Sequence, residues 1–395
     1  MSVQLSTDQY SALEEIVERL SRGDRLVTLG GYAGVGKTTL IAEIVPILRD
    51  KGFKRIAFAT FTGKAKDVLR SKLTAKGTLL PEVDYCGTLH GLLYNARQRM
   101  VDDGKGHTRL EYTFSKRLDG EGVDLIVIDE ASMVSEEIFK DVEALGVPIL
   151  AVGDHGQLPP VKSSFNLMGK PMVRLEKIHR QAEGSPIIRM SRHAREEGEI
   201  PVGQYGPGVL KTTNDAALYN LARPWEHLLL CGTNRLRGQL NNWMRGKLGY
   251  KGEPRPGEQI ICLKNNRNAQ VMNGMLGELK TLSAHGDHWW DVEVEMDTGV
   301  TFNGPVLKYQ FGAEKTLDSS REARGVDPRE FKDLFDYGYA LTVWKAQGSE
   351  AENVVFFEEG AIRYVLAKQG PDGWRRFLYT AVTRARTGLI VLGGQ

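Results

Sequence analysis

The chain has 395 residues, of which 41% are hydrophobic and 26% are charged, as is ordinary for a soluble globular protein. This length exceeds one ordinary hydrophobic core and predicts two or three domains. The 52 Lys and Arg residues are balanced by 50 Asp and Glu residues, so the net charge of +2 creates no overall field for nucleic acid. A local basic groove is still compatible with this balance.

Cysteine use and apolar runs exclude several protein classes. Cys86, Cys231 and Cys262 lie far apart in the sequence, which argues against a disulfide framework or a metal site of closely spaced thiols. No apolar run approaches the roughly 20 residues that span a bilayer. The N-terminus lacks the basic and then apolar pattern of a secretion signal. We therefore expect a cytoplasmic protein without a membrane partner.

The first part of the chain alternates between helical and strand patterns. A capped helix is predicted over residues 6–21, where Ser6 and Thr7 precede apolar residues at helical spacing. The strand RLVTLGG is followed by a glycine-rich turn and a helix that Pro46 is expected to disturb. RIAFATF, DLIVIDE and VPILAVGD are further apolar strands. Such strands between helices predict an α/β fold with a parallel sheet covered on both faces.

Two segments interrupt the α/β pattern and define the domain organisation. The polar, turn-rich stretch after Leu93 predicts a hairpin, and the alternation in HWWDVEVEMDTGVTF predicts a small antiparallel β insertion. A second α/β region begins near Pro171, with HLLLCGTN and EQIICLKNN as strands, and DYGYALTVW returns to one buried strand. The predicted domains are 1–92 with 122–170, the hairpin 93–121, 171–280 with 336–395, and the β insertion 281–335.

A phosphate-binding loop is the most specific motif in the sequence. GGYAGVGKTT contains G-x-x-x-x-G-K-T, from Gly31 to Thr38, between a strand and a helix. Glycines let backbone N–H groups close around phosphate oxygens, and a helix N-terminus favours negative charge. Lys37 is expected to reach the β- and γ-phosphates of ATP, and the Thr38 hydroxyl to ligate Mg²⁺. The predicted ATP-binding residues of this motif are Gly34, Val35, Gly36, Lys37, Thr38 and Thr39.

Two carboxylates follow the buried strand in DLIVIDEAS. Asp129 and Glu130 stand at the carboxyl end of the strand, where ligands bind in open α/β sheets. Asp129 is expected to hold Mg²⁺, and Glu130 to act as the general base that activates water. On its own, such a strand end is explained more often by capping of the next helix. Together with the phosphate-binding loop, it favours nucleotide hydrolysis.

With both motifs in place, the chain resembles helicases of superfamily 1 in the 5′-to-3′ (B) subfamily, close to RecD-like and phage Dda-like enzymes. The resemblance extends over nearly the whole chain and includes the segments LSTDQYSAL, ATFTGKAK, GTLHGLL, GDHGQLPPV, RLEKIHRQ and YTAVTRAR, in the family's order. It implies two RecA-like domains, with a duplex-splitting pin inserted into the first at residues 93–121 and an SH3-like barrel inserted into the second at residues 281–335.

The resemblance also implies roles at the nucleotide. Gln9 would read the adenine base, and Gln157 would sense the γ-phosphate and relay its state towards DNA. Arg180 and Arg384 would act as arginine fingers from the second domain, although an isolated arginine is more often a surface or ion-paired residue. The segment ALTVWKAQGSE resembles motif V, whose Gly348 and Glu350 would face the nucleotide.

DNA contacts are implied along three segments and the hairpin. Many relatives have proline where Phe61 stands and histidine where Trp344 stands, so these two rings either stack on bases or pack in the core. At the pin, Phe114 is the first choice and Tyr112 the alternative, and either ring would equally anchor the hairpin. Of Trp289 and Trp290, at least one is expected in the core of the barrel. The implied DNA-binding residues are Phe61, Thr62, Lys64, Thr88, His90, Phe114, Thr342, Trp344 and Lys345.

The resulting prediction is an ATP- and Mg²⁺-dependent DNA helicase, of phage or bacterial type, that translocates 5′ to 3′ on single-stranded DNA and unwinds duplex. Its expected partners are single-stranded DNA, forked or tailed duplex DNA, and replication or recombination proteins, and it is expected to be a monomer. The alternative is an ATP-switched protein that binds or remodels single strands without processive unwinding. A P-loop kinase is a third interpretation, which the second domain and the segment GDHGQLPPV, similar to the family's motif III, disfavour.

Overall fold

The computed structural model describes most of the chain. The described residues are 5–61, 63–102, 108–116, 122–160, 165–177, 184–214, 226–264, 266, 269, 271, 273–297, 299–314, 316–317, 333–358 and 360–393. Side chains are described at these positions except for residues 63–64, 95–102 and 108–116. Within the described ranges, no helix is both long and apolar enough to cross a membrane.

Helices and strands are numbered separately along the chain. The helices are α1 Thr7–Ser21, α2 Lys37–Asp50, α3 Gly63–Ala75, α4 Leu89–Leu93, α5 Glu136–Glu143, α6 Pro186–Glu196, α7 Asn234–Lys247 and α8 Ala361–Val382. The strands are β1 Leu26–Gly31, β2 Ile56–Thr60, β3 Tyr85–Thr88, β4 Tyr94–Asp102, β5 Thr108–Lys116, β6 Leu125–Asp129, β7 Ile149–Gly153, β8 Val173–Leu175, β9 Gly203–Gly206, β10 Val209–Thr212, β11 His227–Cys231, β12 Gln259–Cys262, β13 Leu276–His285, β14 Trp289–Met296, β15 Thr301–Leu307, β16 Phe335–Tyr337, β17 Ala340–Thr342, β18 Ala351–Phe357 and β19 Ala385–Leu392.

The first sheet has six parallel strands in the order β3-β2-β6-β7-β1-β8. Helices α1, α2 and α3 bury their apolar residues against one face, and α4 and α5 cover the other. The predicted parallel sheet with two covered faces is therefore confirmed. Because β8 pairs with β1, residues 173–175 belong to this sheet, beyond the predicted boundary at residue 170.

The two N-terminal helices show how local signals and burial compete. Ser6 caps α1, and its side chain and that of Gln9 bond reciprocally to backbone N–H groups, so the predicted capped helix is confirmed. The expectation that Pro46 disturbs the next helix is wrong, since α2 runs unbroken from Lys37 to Asp50. Proline removes only one N–H from the ladder. The buried residues of α2 on both sides of Pro46, from Leu40 to Leu48, hold the helix on the sheet.

The second sheet has the order β17-β11-β18-β19-β10-β9, and all its pairs are parallel except β9 with β10. Helices α6 and α8 pack on one face and α7 on the other. Helix α8 is kinked at Gly370, whose φ and ψ are 69° and −173°, directly before Pro371. This sheet confirms a second α/β unit after the first.

A five-stranded antiparallel sheet, β15-β14-β13-β12-β16, lies within the second α/β region of the sequence. It begins at Gln259, earlier than residue 281, because EQIICLKNN contributes β12 here and not to the parallel sheet. The interpretation of DYGYALTVW as one strand is wrong: β16 belongs to the antiparallel sheet and β17 to the parallel sheet. Of the two adjacent tryptophans, Trp290 is in this sheet's core, and Trp289 packs partly buried against the second unit.

A β-hairpin leaves the first unit after α4. Its strands β4 and β5 pair over nine residue pairs, from Tyr94 with Lys116 to Asp102 with Thr108, and with no other described strand. Two paired strands therefore stand where the sequence predicts a hairpin, and the role of this hairpin as a pin stays a prediction. Phe114 pairs with Ala96, third from the base, and Tyr112 is central in its strand.

Candidate nucleotide site and nucleic-acid interface

The glycine-rich loop leaves the carboxyl end of β1 and opens α2. Gly34 and Gly36 have φ of 82° and 81°, a conformation that residues with a Cβ adopt at a cost. The Lys37 Nζ donates to the carbonyl oxygens of Gly31, over 2.8 Å, and Tyr32, over 3.1 Å. The ammonium is therefore held against the loop that would enclose the phosphates.

Two oxygen ligands meet beside this loop. The Thr38 hydroxyl donates to Asp129 Oδ2 over 3.1 Å, and Asp129 Oδ1 accepts the Glu130 N–H over 2.9 Å. Hydroxyl and carboxylate oxygens are the hard donors that Mg²⁺ takes, usually with few protein ligands, so this pair fits the ion. Among the described side chains, no group of three or more His, Cys, Asp or Glu forms a separate metal site.

Glu130 combines backbone strain with a shifted acidity. Its φ of 57° makes it the one non-glycine residue with positive φ in the described part of the chain. Burial, and next the charge of Asp129, raise the pKa of the Glu130 carboxyl to about 7, although Lys37 and Arg384 act in the opposite direction. A carboxylate whose pKa lies near neutrality suits a general base.

The turn after β7, residues 154–158, lies between the phosphate loop and Asp129 because β7 separates β1 from β6. The Gln157 side chain is buried, and its Nε2 donates to Asp154 Oδ2 over 3.4 Å. Gln157 Oε1 and His155 Nδ1 are buried without a hydrogen-bond partner among the described residues. Since an unpaired buried polar atom is costly, Gln157 Oε1 is suited to accept from a group that enters the cleft.

The second unit places a cation at the same cleft. Arg384 lies between α8 and β19, is buried, and donates to the carbonyl oxygens of Thr380, over 3.0 Å, and Ser349, over 3.2 Å. In the described part of the chain, no carboxylate is within ion-pair distance of it. Its charge acts to lower the pKa of the Glu130 carboxyl, so the guanidinium lies within electrostatic reach of that carboxylate. Arg180, the other predicted finger, lies outside the described residues.

Three further residues are predicted to contact the nucleotide: Gln9, Gly348 and Glu350. Gln9 accepts the Ser6 N–H and donates to the Val35 carbonyl, each over 3.1 Å. An amide still has one free proton and one free lone pair after two such bonds, so it retains the capacity to read adenine. Gly348 has a φ of 73°. Glu350 is exposed and lies 3.2 Å from Arg386.

The predicted DNA-contacting residues of the first unit gather beyond the strands β2 and β3. The Phe61 ring centroid lies 6.0 Å from that of His90, which lies 5.9 Å from that of Tyr94. Thr88 Oγ1 accepts the Gly91 N–H and caps α4. The rings thus form one group at the carboxyl ends of β2 and β3, towards the lateral edge of the sheet that lies away from β1 and the phosphate loop. Thr62 and the side chains of Lys64 and Phe114 lie outside the description.

Motif V ends β17. Thr342 is buried and its Oγ1 accepts the Lys345 N–H over 3.4 Å. The Trp344 ring packs against the core of the second unit, 4.8 Å from the Phe377 ring and at right angles to the half-exposed Tyr364. Packing is thus one role of Trp344, and stacking on a base stays a prediction.

The sequence did not predict that the second unit forms several hydrogen bonds to backbone groups of the 154–158 turn. Thr380 Oγ1 accepts the Leu158 N–H over 3.0 Å, and Gln347 Nε2 donates to the Leu158 carbonyl over 2.7 Å. Arg376 Nη1 donates to the carbonyl oxygens of His155 and Gln157. The signal in the sequence for these contacts is the pair of hydroxyl residues, Tyr379 and Thr380, that opens YTAVTRAR.

Comparison with known proteins gives the family. Residues 4–206 match the family model described as the AAA domain, and residues 337–392 match the UvrD-like helicase C-terminal domain. Over 98% of its length, the chain is similar, at 28% identity, to the ATP-dependent RecD2 DNA helicase of Deinococcus radiodurans. The chain belongs to the AAA-domain family and, with its UvrD-like C-terminal domain, to the RecD-like helicases of superfamily 1B.

One further relative and one solved structure match over most of the chain. The RecBCD enzyme subunit RecD of Mycolicibacterium smegmatis is 25% identical over 95% of the chain, which covers 69% of that protein. A Bacteroides Pif1 structure bound to single-stranded DNA has a TM-score of 0.50 at 20% identity and covers 99% of this chain, which covers 92% of it. At that identity the likeness shows the fold alone. The chain spans only 49% of the length of RecD2.

Proposed function

We propose that the chain is an ATP-dependent DNA helicase that translocates 5′ to 3′ on single-stranded DNA and unwinds duplex. The observation that carries the proposal is a nucleotide site shared by two α/β units. Thr38, Asp129 and Glu130 come from one unit, and the buried Arg384 comes from the other. Since phosphoryl transfer depends on charges placed around the transferred group, hydrolysis at such a site requires the units to close.

The chemistry assigns each group one task. Lys37 neutralises charge on the β- and γ-phosphates, and Glu130 takes the proton of the attacking water. Arg384 adds positive charge across the cleft. Thr38 and Asp129 would hold Mg²⁺, which supplies further charge stabilisation on the phosphate oxygens.

The proposed DNA path runs over Phe61 and His90 of the first unit and the motif V segment around Lys345. Stacking on rings and contact with phosphates require no large net charge. The RecD2 relative is named an ATP-dependent DNA helicase, and Pif1 structures are described with single-stranded and forked DNA. These names support single strands and forks as partners. We further propose that the β4–β5 hairpin is the pin, that the antiparallel sheet is the SH3-like insertion, and that the chain acts as a monomer.

Hydrolysis is tested by ATPase rates with and without single-stranded DNA. Single-stranded DNA is expected to raise the ATPase rate of the wild-type chain strongly. Glu130→Gln removes the proton acceptor while keeping the shape of the side chain, so it should lower the stimulated rate at least about 100-fold. Its nucleotide binding should persist, in contrast to that of Lys37→Ala. A stimulated rate indifferent to Glu130→Gln would refute this assignment, and absent turnover with ATP-dependent DNA binding would favour the switch alternative.

Polarity is tested with duplexes that carry a single 5′ or 3′ tail. The proposal expects strand separation only from the 5′-tailed duplex and only with ATP. Glu130→Gln serves as the control for ATP dependence. Separation confined to the 3′-tailed substrate would contradict the direction, and separation of neither would indicate translocation without unwinding.

A further inference from the structure

The Tyr379 hydroxyl joins three segments that lie far apart in the sequence. Tyr379 lies on α8 of the second unit and is 1% exposed. Its hydroxyl donates to Asp154 Oδ2 over 2.6 Å and accepts the Ala33 N–H over 2.7 Å. Asp154 begins the turn after β7, and Ala33 is the third residue of the phosphate loop. One hydroxyl of the second unit therefore contacts two loops of the first.

The Ala33 contact leads directly to the phosphate-loop lysine. The Ala33 N–H and the Tyr32 carbonyl belong to the same peptide group. That carbonyl accepts from Lys37 Nζ over 3.1 Å. The bonds thus form a continuous series from Lys37 through the Tyr32–Ala33 peptide and Tyr379 to Asp154. Each hydrogen bond in such a series polarises the next, so a displacement of one end changes the strength of the bonds at the other end.

Packing holds this series in one geometry. The Arg195 guanidinium carbon, from α6 of the second unit, lies 3.7 Å from the centroid of the Tyr32 ring. His155 contacts the same ring, with centroids 4.3 Å apart. A Cβ on Gly156 would lie 2.8 Å from Tyr32 and 3.1 Å from the Tyr379 ring, so only glycine leaves the rings room. The second unit therefore contacts the phosphate loop twice, through Arg195 on the Tyr32 ring and through the hydrogen bond of Tyr379 with Ala33.

We propose that Tyr379 is a positioning residue, which sets the Tyr32–Ala33 peptide and through it Lys37, and so makes the state of the phosphate loop depend on the position of the second unit. The proposal rests on the proposed function for its kinetic consequence. It differs from the roles of the arginine fingers because Tyr379 acts on the protein backbone and not on a phosphate. By linkage, whatever moves the second unit, single-stranded DNA included, changes the loop, and nucleotide at the loop acts back on the second unit.

Amide hydrogen exchange tests the bond without any need for activity. Tyr379→Phe keeps the ring and removes the hydroxyl, so the Ala33 N–H loses its acceptor. Exchange at Ala33 in the nucleotide-free full chain should rise at least roughly tenfold, since a native hydrogen bond is what limits it. Tyr205→Phe is the matched control, because its hydroxyl donates only to Pro201 O within the second unit. Exchange at Ala33 that is equal in the two variants would overturn the proposal.

ATPase rates then test the coupling. In Tyr379→Phe the DNA-stimulated rate should fall roughly tenfold further than the rate without DNA, as expected for loss of a modest coupling between sites. Tyr205→Phe should keep the wild-type ratio. If DNA stimulates the wild-type ATPase normally and Tyr379→Phe keeps the same ratio of stimulated to unstimulated rate, the role of Tyr379 is overturned and the proposed function stands. A wild-type chain that DNA does not stimulate would overturn the proposed function instead.

Discussion

At the scale of single residues, Lys345 is held in an unusual electrostatic environment. Burial, and next the charge of Arg237, lower the pKa of its ammonium to about 8, while Asp336 acts to raise it. Arg237 is fully buried, and its Nη1 lies 3.0 Å from Asp336 Oδ2. The neighbouring Cys262 thiol has its pKa raised to about 12 by burial and stays neutral. Arg237 pairs with Asp336, and Lys345 lies within electrostatic reach of the same carboxylate. Two cations beside one carboxylate leave net positive charge at this predicted DNA contact.

This environment predicts a pH dependence of DNA binding. Above a pH of about 8 free Lys345 loses its proton, so its attraction for phosphate is lost as pH rises. A bound phosphate raises the pKa of the ammonium, so the affinity for single-stranded DNA should fall by up to about tenfold per pH unit from pH 8 upwards. Lys345→Arg should flatten this fall, since arginine stays charged.

Fluorescence anisotropy with labelled single-stranded DNA at fixed ionic strength measures the effect between pH 7 and pH 9.5. Lys280→Arg is the matched control, because Lys280 lies on β13 and pairs with Glu278 and Glu295 on the exposed sheet. Equal pH profiles for Lys345→Arg and Lys280→Arg would show that Lys345 does not contact the strand.

At the scale of secondary-structure elements, glycine and short strands let the chain change sheets. Gly338 separates β16 in the antiparallel sheet from β17 in the parallel sheet. A Cβ at Gly338 would lie 2.9 Å from the backbone carbonyl carbon of Ile260. The residues on both sides are equally buried and mostly apolar, so DYGYALTVW resembles one strand although its two halves pair with different sheets.

The β4–β5 hairpin is paired only with itself among the described strands, and two-stranded hairpins are marginally stable alone. Its removal should therefore leave both α/β sheets intact. Replacing residues 96–114 by a short Gly-Ser turn is expected to preserve DNA-stimulated ATPase and abolish unwinding of a 5′-tailed duplex, because strand separation needs a surface against the last base pair.

Point variants locate that surface. Phe114→Ala should reduce unwinding more than Tyr112→Ala, and neither should alter DNA-stimulated ATPase. Unwinding is followed by separation of a fluorophore from its quencher. If the shortened hairpin unwinds at the wild-type rate, the hairpin is not the pin, and a greater loss in Tyr112→Ala would transfer the role to that ring.

At the scale of the whole molecule, a first-unit residue is built into the core of the second unit. Leu158 is completely buried among residues of α6 and α8, and both its backbone groups bond to second-unit side chains. The 154–158 turn that carries Gln157 is therefore attached to both units. This arrangement supplies a direct mechanical connection between the nucleotide cleft and the motif V segment.

Leu158→Ala tests that connection. Truncating a buried leucine to alanine typically lowers the free energy of unfolding by about 2–5 kcal/mol, so the melting temperature should fall by several degrees. DNA stimulation of ATPase should also fall, since the turn would follow the second unit less closely. Leu80→Ala is the matched control, because Leu80 is 41% exposed, and it should change neither quantity. A stable Leu158→Ala variant with wild-type stimulation would contradict the connection.

The sequence by itself determined the local chemistry and the repeated α/β units. The phosphate loop, the strand ending in Asp129 and Glu130, and the capped first helix each follow from neighbouring residues, whose spacing sets their backbone geometry. The apolar strands likewise predict parallel sheets, because a strand covered on both faces must be apolar throughout. Motif order predicted that Arg384 belongs to this site, although no local pattern places it there.

Only the tertiary structure decided which segments meet across the cleft and which strands share a sheet. The bond from Tyr379 to Ala33 joins residues 346 positions apart, and no periodicity in either segment encodes it. Leu158 resembles a core residue of its own unit and packs in the other. Pro46 sits within an intact helix because burial of its neighbours outweighs one missing hydrogen bond. In each case long-range packing selects among arrangements that the local sequence permits equally.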